Sequence, residues 1–598
     1  MDSSVCLMEG HYQLALPWRY DDPCLPNNKW SALKRLKLLK RRLLKDPALM
    51  KKYKDTLDGY ISQGHARRMT NVDSSATKSG STWYLPHHPV IHSNKPEKVR
   101  VVFDCAAKYQ GTSLNDQLLQ GPDLNTLVGV LLQFRKEPVA IVADIKQMFH
   151  QVKVKKADCD ALRFLWWPEG DLSKDPADHQ MLVHPFGATS SPSCAAYALK
   201  RTADDNRSNY DTRIVDTVYR NFYVDCLKSV ASVEEAKELV KLLPEMLGKG
   251  GLHLTKWISN CWEILALIPE AERASSVMNL DMENLPIDRA LGIQWDVEKD
   301  AFNFRIGDRL KKETRREMLS FVASVYGPLG FAASFVLPAK RILQELCRVG
   351  YGWDEKVPED QLSNWREWRK KLPTLMTLAI PRCYKPTGFS QIQTVELHNF
   401  SDASLGGYGV ASYLRLIDTN GRIHCSLLMG KSRVTPLKAT TVPRLELTAA
   451  TVAVKVSRQI QDEIQLPIQR TLFWTDSTIV IQYIRNMATR FQTFVSNRLQ
   501  IIHDASSPSQ WYHVSSEFNP ADHASRGIKL DGSNEAAITT WFHGAAFLWQ
   551  PESEWPGQPT DLPEIDRDDK ELRRKVQATT ITQCNTMGTD VWSCLLHQ

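Results

Sequence analysis

Apolar and polar positions along this chain change period several times. In "SALKRLKLLKRRLLKDPALMKKYK" the leucines at 33, 36, 38, 39, 43 and 44 fall at roughly helical spacing with basic residues between them, which predicts an amphipathic helix. From "WYLPHHPVI" to about residue 310, short strand-like runs alternate with helical stretches, the pattern of an α+β or α/β unit. Within it, the apolar and β-branched residues of "VAIVADIKQMFHQVKV" predict a buried strand that presents Asp144 at its end, and "HPFGATSSPSCAAYALK" reads as a glycine turn feeding a helix of small residues. Residues 311–390 read as mainly helical. A second mixed unit opens at "QTVELHNFSDAS", runs strand, glycine turn, strand, long helix, strand, helix, and closes near "NPADHASRG". The text after residue 528 is loose and charged, as in "IDRDDKELRRK", and its last line has no periodicity.

These changes predict an α+β multidomain chain with five parts. They are a basic helical segment and linker at 1–80, a mixed unit at 81–310, a helical stretch at 311–390, a second mixed unit at 391–530 and a weakly ordered tail at 531–598. At 598 residues there is material for several cores. No apolar run approaches the roughly 18 residues a membrane span needs, and the start lacks the basic flank and apolar run of a signal peptide. The 12 cysteines form no CxxC and no Cys/His pairing, which argues against a disulfide framework or zinc finger and for an intracellular protein. Net charge is +7, and residues 1–70 alone hold 14 Lys/Arg against 7 Asp/Glu, so the excess sits in the basic helix. Such a helix either grips phosphates or is a solvated face.

Four acids in the second mixed unit stand where chemistry would use them. Asp402 closes "VELHNFSD" before the glycine turn, Glu446 lies in the helix opened by Pro443, Asp476 ends "TLFWTD", and Asp522 sits in "NPADHASRG". Hydrolysis of a phosphodiester requires an activated water and a stabilised leaving oxygen, and two Mg²⁺ ions held by carboxylates provide both. Acids gathered without a cation would repel and raise one another's pKa. The order Asp, Glu, Asp, Asp over residues 395–527 resembles the ribonuclease H domain of retroelements. The resemblance implies Asp402, Glu446, Asp476 and Asp522 as ligands of Mg²⁺ or Mn²⁺, His513 as a mobile catalytic histidine, and Asn519 as a contact to RNA.

The first half carries a second resemblance. "GHYQLALPWR", "VRVVFDCAAKYQGTSLND", "ADIKQMFHQV", "HPFGATSSP", "NFYVDCLKSV" and the closing "NPADHASRG" succeed one another as in the Pol polyproteins of BEL/Pao-class long-terminal-repeat retrotransposons, over about residues 9 to 558. This implies a right-hand polymerase, with fingers and palm at 81–310 and a helical thumb or connection at 311–390, followed by the ribonuclease H-like domain. It implies Asp144 and Asp225 as metal-binding catalytic acids and Arg100 as the fingers arginine that reaches an incoming triphosphate. Phe149 becomes the aromatic gate against a ribose 2′-hydroxyl. Gly187 and Ser191-Pro192 become the turn beneath the nucleotide, and Lys256 a lysine near the leaving pyrophosphate. Phe186 stands where retroviral enzymes commonly carry glutamine.

One departure concerns activity. In Tyr223-Val224-Asp225-Cys226 a cysteine follows the aspartate where a second aspartate belongs. A thiol is mostly protonated at neutral pH and is a soft ligand that Mg²⁺ disfavours. Either aspartate was replaced, or one residue was lost and Cys226 moved up. The expected function is a retroelement reverse transcriptase/ribonuclease H with an impaired polymerase centre and a complete hybrid nuclease. Its partners would be RNA, DNA, their hybrid and deoxynucleoside triphosphates, without a membrane, in a cytoplasmic particle or the nucleus. The alternative is a catalytically silent nucleic-acid-binding remnant. With no Asp-Thr/Ser-Gly signature and no zinc knuckle, the chain reads as the central piece of an element.

Overall fold

The computed structural model describes residues 1–70, 82–92, 95–122, 125–277, 287–290, 293–307, 312–325, 327–530, 534–559, 565–566 and 568–573. In the first mixed unit, the strand Val139–Ile145 is flanked antiparallel by Cys226–Val230 and Leu254–Ser259. The middle strand is apolar on both sides because helices cover it. Leu127–Phe134 and Val233–Gly248 pack against this sheet, and their buried residues join its core. Asp144 lies near the end of that strand, where the apolar run gives out.

The segment 1–80 is not a separate piece. The strand His11–Leu14 pairs in parallel with Lys153–Val154, and Ala66–Arg68 pairs with Ala177–Met181. The predicted basic helix spans Lys29–Lys45, and a second helix follows at Pro47–Ser62 with Asp46 as its N-cap. Ala32, Leu36, Leu39 and Leu43 form its buried stripe and share a core with Trp83, Phe103 and Trp166. An apolar stripe needs a partner, and the nearest is the body of the first unit. Residues 71–81, most of the expected linker, lie outside the described residues.

The stretch 311–390 is mainly helical, with Arg315–Ser324, Ala333–Val349 and Glu359–Lys371. It ends in the short strand Ile380–Pro381, which joins the sheet of Ile287–Ala290, Ile293–Asp296 and Ala301–Asn303.

The second mixed unit is a five-stranded sheet in the order Ile423–Arg433, Tyr408–Asp418, Ile392–Ala403, Arg470–Thr475, Trp511–His513. The first three strands are antiparallel neighbours; the last two add in parallel. The helix Val442–Ile464 packs across the sheet and buries Leu447, Ala450, Val454 and Ile460 along one face. A buried arginine pair ties this unit to the first. Arg135 donates to the carbonyls of Arg382 (3.0 Å) and Leu427 (2.8 Å), while Arg382 pairs with Asp300 (2.6 Å) and donates to the Pro138 carbonyl (2.7 Å). Buried guanidinium is tolerable only when its N–H groups are satisfied in this way.

The expected weak order after 530 does not hold for residues 534–559. The helix Glu535–His543 buries Trp541 completely, and its Nε1 donates to the Phe331 carbonyl (2.8 Å). Phe547 and Leu548 are buried too, and Arg415 donates to the Leu548 carbonyl (2.7 Å). Further on, Glu571 pairs with Arg444 (2.5 Å). The aromatic residues of this stretch cover the sheet, a role its polar composition conceals. Residues 574–598 lie outside the described residues.

Candidate active sites

Asp402 lies in the strand Ile392–Ala403 opposite Gly409. A Cβ at Gly409 would run into the Lys431 carbonyl and the Ala524 side chain, so glycine here lets the helix Asp522–Arg526 lie on the sheet beside Asp402. Glu446 stands in the first turns of the helix begun by Val442 and Pro443. Asp476 follows the strand Arg470–Thr475, and Ser477 caps the next helix by accepting from the Val480 N–H (3.4 Å).

These elements bring one carboxylate oxygen each from Asp402, Glu446 and Asp476 within 4.8 Å of one another. Asp402 and Glu446 are buried. Burial raises the Asp402 pKa, and the charge of Asp476 adds to it, while a hydrogen bond from Ser525 opposes the rise. Burial and then the charges of Asp402 and Asp476 push Glu446 up to about 9. Glu446 Oε2 and Asp476 Oδ1 are buried and accept no hydrogen bond from the described residues. Carboxylate oxygens left orphaned and aimed at one another fit a hard divalent cation.

Asp522 stands beside this trio rather than in it. Its charge is felt by Asp402, but its carboxylate pairs with Arg526 one turn on. Three groups went unnoticed in the sequence. The Ser525 hydroxyl donates to Asp402, the Ser516 hydroxyl donates to Asp476, and Arg526 favours the charged forms of Asp402 and Glu446. Serines are too common to announce such roles; Ser525, three residues past Asp522 on a short helix, was the readable clue.

His513 ends the strand Trp511–His513 opposite Thr475, with its backbone N–H donating to Gln558 (2.8 Å). No described contact joins its ring to the carboxylates. Asn519 is buried and donates to the Ser401 carbonyl (3.1 Å), a contact that braces the loop before Asp522.

In the first unit Asp144 and Asp225 come together. The pKa of Asp225 is raised by burial, then by the charge of Asp144 and a hydrogen bond to it, against the opposing charge of Lys256. Lys256 forms an ion pair with Asp144. It gets there through a bulge between Thr255 and Ile258, with a left-handed φ of 53°. Cys226 is paired with Ala143, the neighbour of Asp144. Directly paired residues share a face and successive residues alternate, so the thiol faces away from the two carboxylates. It is fully buried in the apolar core, which pushes it up to about 12.

Phe149 packs on Phe186, ring centres 4.7 Å apart. Gly187 has φ 120°, and a Cβ there would strike the Phe103 carbonyl; Asn115 donates to its carbonyl (3.1 Å). Ser191 and Pro192 open the following helix, Ser191–Asn206. Arg100 is exposed on the strand Lys95–Phe103, opposite Val90, and no described contact joins it to Asp144 or Asp225.

Residues 314–477 match the family model of the Pao retrotransposon-like RNaseH-like domain, a span that holds Asp402, Glu446 and Asp476. No curated protein matches the chain. Among solved structures it is similar to a foamy viral protease-reverse transcriptase "dRH" in complex with double-stranded DNA, with TM-score 0.50 and 15% identity over 79% of this chain and 69% of that one. It is also similar to a foamy viral protease-reverse transcriptase in complex with an RNA/DNA hybrid, with TM-score 0.48 and 14% identity over 77% and 52% of the two chains. The fold is thus a mixed α/β multidomain one resembling retroviral reverse transcriptase. The family match is to the RNaseH-like domain and falls in the part of the chain whose acidic motifs resemble a retroelement ribonuclease H.

Proposed function

We propose that this chain is a retroelement reverse transcriptase/ribonuclease H in which the hybrid nuclease is the working centre and DNA synthesis is impaired. The observation that carries the nuclease reading is the convergence of Asp402, Glu446 and Asp476 with two orphaned oxygens. Divalent cations bound there, Mg²⁺ or Mn²⁺, supply Lewis acidity for attack of water on the RNA strand, with a 3′-hydroxyl and a 5′-phosphate as products. Ser525 and Ser516 hold Asp402 and Asp476 in position. Choice of the RNA strand rests on contacts to 2′-hydroxyls.

In this reading the unit around Asp144 is the palm, with fingers ahead of it, and residues 311–390 are the thumb or connection. Phe149, packed against Phe186, gates the sugar. Gly187 lets the backbone pass beneath the nucleotide, and Arg100 reaches the triphosphate from the exposed hairpin. Two carboxylates, one of them held by Lys256, leave too few hard ligands for efficient nucleotidyl transfer.

The second reading, a silent nucleic-acid binder, is favoured by one observation: basic side chains already occupy Asp144 and Asp522. Incubating the chain with an RNA/DNA hybrid and Mg²⁺ or Mn²⁺ separates the two. The nuclease reading expects RNA-strand cleavage that Asp402→Asn abolishes; binding without cleavage by the unaltered chain supports the silent one.

A further inference from the structure

The helix Lys29–Lys45 carries eight basic residues and no acidic one. Three are committed: Lys29 pairs with Asp178 (2.8 Å), Arg35 with Asp104 (2.6 Å), and Lys40 donates to the Leu172 carbonyl (2.6 Å). Lys34, Lys37, Arg41, Arg42 and Lys45 are exposed and form no ion pair among the described residues. At 100° per residue, Trp30, Lys34, Lys37, Leu38, Arg41, Leu44 and Lys45 share the face opposite the buried stripe. Trp30 is 62% exposed, with Lys34 Nζ 3.5 Å from its ring centre, and Leu38 and Leu44 are as open. The helix is about 25 Å long. Its anchor is informative: Arg35 holds Asp104, next to Phe103, whose carbonyl lies against Gly187. The helix that carries the track therefore passes beside the turn assigned to the nucleotide.

A duplex presents phosphates and hides its base faces. An unpaired strand presents both, which suits a face where an indole and two leucines are interleaved with cations. We propose that this face of the helix Lys29–Lys45 binds the unpaired template strand ahead of the duplex. Trp30 stacks a base, and Lys34, Lys37, Arg41 and Lys45 contact phosphates. The proposal rests on the reading of the Asp144 sheet as a polymerase palm.

Fluorescence anisotropy with the full chain tests it, using a primer–template with a long 5′ template overhang and the same duplex blunt-ended, between about 50 and 200 mM KCl. The overhang should tighten binding. In the Lys37→Ala/Arg41→Ala/Lys45→Ala variant, the slope of log affinity against log salt should fall by about 2 on the overhang substrate, near 0.7 per lost single-strand contact. Trp30→Ala should weaken overhang binding roughly tenfold. Affinity for the blunt duplex should not change, and thermal melting should show both variants folded, since the altered side chains face solvent. An unchanged slope, an equal loss on the blunt duplex, or loss only of binding to anionic lipid vesicles would overturn the proposal. Binding of the blunt duplex by the unaltered chain is read in the same titrations, so failure of this inference (duplex bound, overhang without effect) and failure of the palm reading (neither substrate bound) are distinguishable.

Discussion

The Cys226 thiol and the Asp144 carboxylate lie on opposite faces of one sheet, because Cys226 is paired with Ala143. The residue after the aspartate is therefore a core position, and replacement of a second catalytic acid does not describe it well. A lost residue, the other explanation, would fall in the turn at 223–225, closed by the bridge between Phe222 and Cys226. Cys226→Asp should place a carboxyl among apolar side chains, destabilise by about 2–4 kcal/mol and restore no synthesis. Insertion of one aspartate between Asp225 and Cys226 should lengthen the turn, leave the thiol in the core and raise primer extension well above background. Denaturant melts and primer extension with Mg²⁺ read both outcomes.

Stability should depend on pH in a direction that a divalent cation reverses. Asp402 and Glu446 hold their protons more tightly when folded than when unfolded. Their contribution is therefore complete below the ordinary carboxylate range, near 4, and is lost as pH rises through the folded values, about 9 for Glu446. In a chelator, Tm should fall between pH 5 and 9 by on the order of 5 °C, and Mg²⁺ or Mn²⁺ should recover most of the loss at the alkaline end. A scan at several pH values with and without the cation checks this.

Ser525 acts through Asp402. Its hydrogen bond favours the ionised carboxylate, so Ser525→Ala should raise the Asp402 pKa further. The acid limb of the pH–rate profile for hybrid cleavage should move up by roughly one unit, with Ser525→Thr close to the unaltered chain. A uniform fall in rate with an unmoved limb would assign Ser525 a merely structural part.

Arg135 joins the two mixed units by donating to the carbonyls of Arg382 and Leu427. Arg135→Ala should cost about 2–4 kcal/mol and split one melting transition into two, read by calorimetry.

The acids of both sites were legible in the sequence because each ends a strand or opens a helix whose hydrophobic period is clear: Asp144 after "VAIVA", Asp402 after "VELHNFS", Asp476 after "TLFWT". Their partners were not. The resemblance named Lys256 for the leaving pyrophosphate, but its ion pair with Asp144 depends on a bulge; Ser516 and Ser525 act across loops, and Arg526 meets Asp522 on a five-residue helix too short to show a pattern. The packing of Trp541 beneath Phe331 was also hidden, because 210 residues separate them in the chain. Likewise, nothing in the tetrapeptide Tyr223-Val224-Asp225-Cys226 told which way the thiol points; strand pairing with Ala143 decides it.

A working hybrid nuclease built on Asp402, Glu446 and Asp476 depends on Asp476 for cleavage and not for binding, and the Asp476→Asn variant separates the two. The unaltered chain should cleave the RNA strand of a hybrid in Mg²⁺ or Mn²⁺, and Asp476→Asn should lower that rate at least about a hundredfold while binding the hybrid as well as before. Equal cleavage by the two chains, or no cleavage by the unaltered one, would mean that these carboxylates do not form a hybrid nuclease.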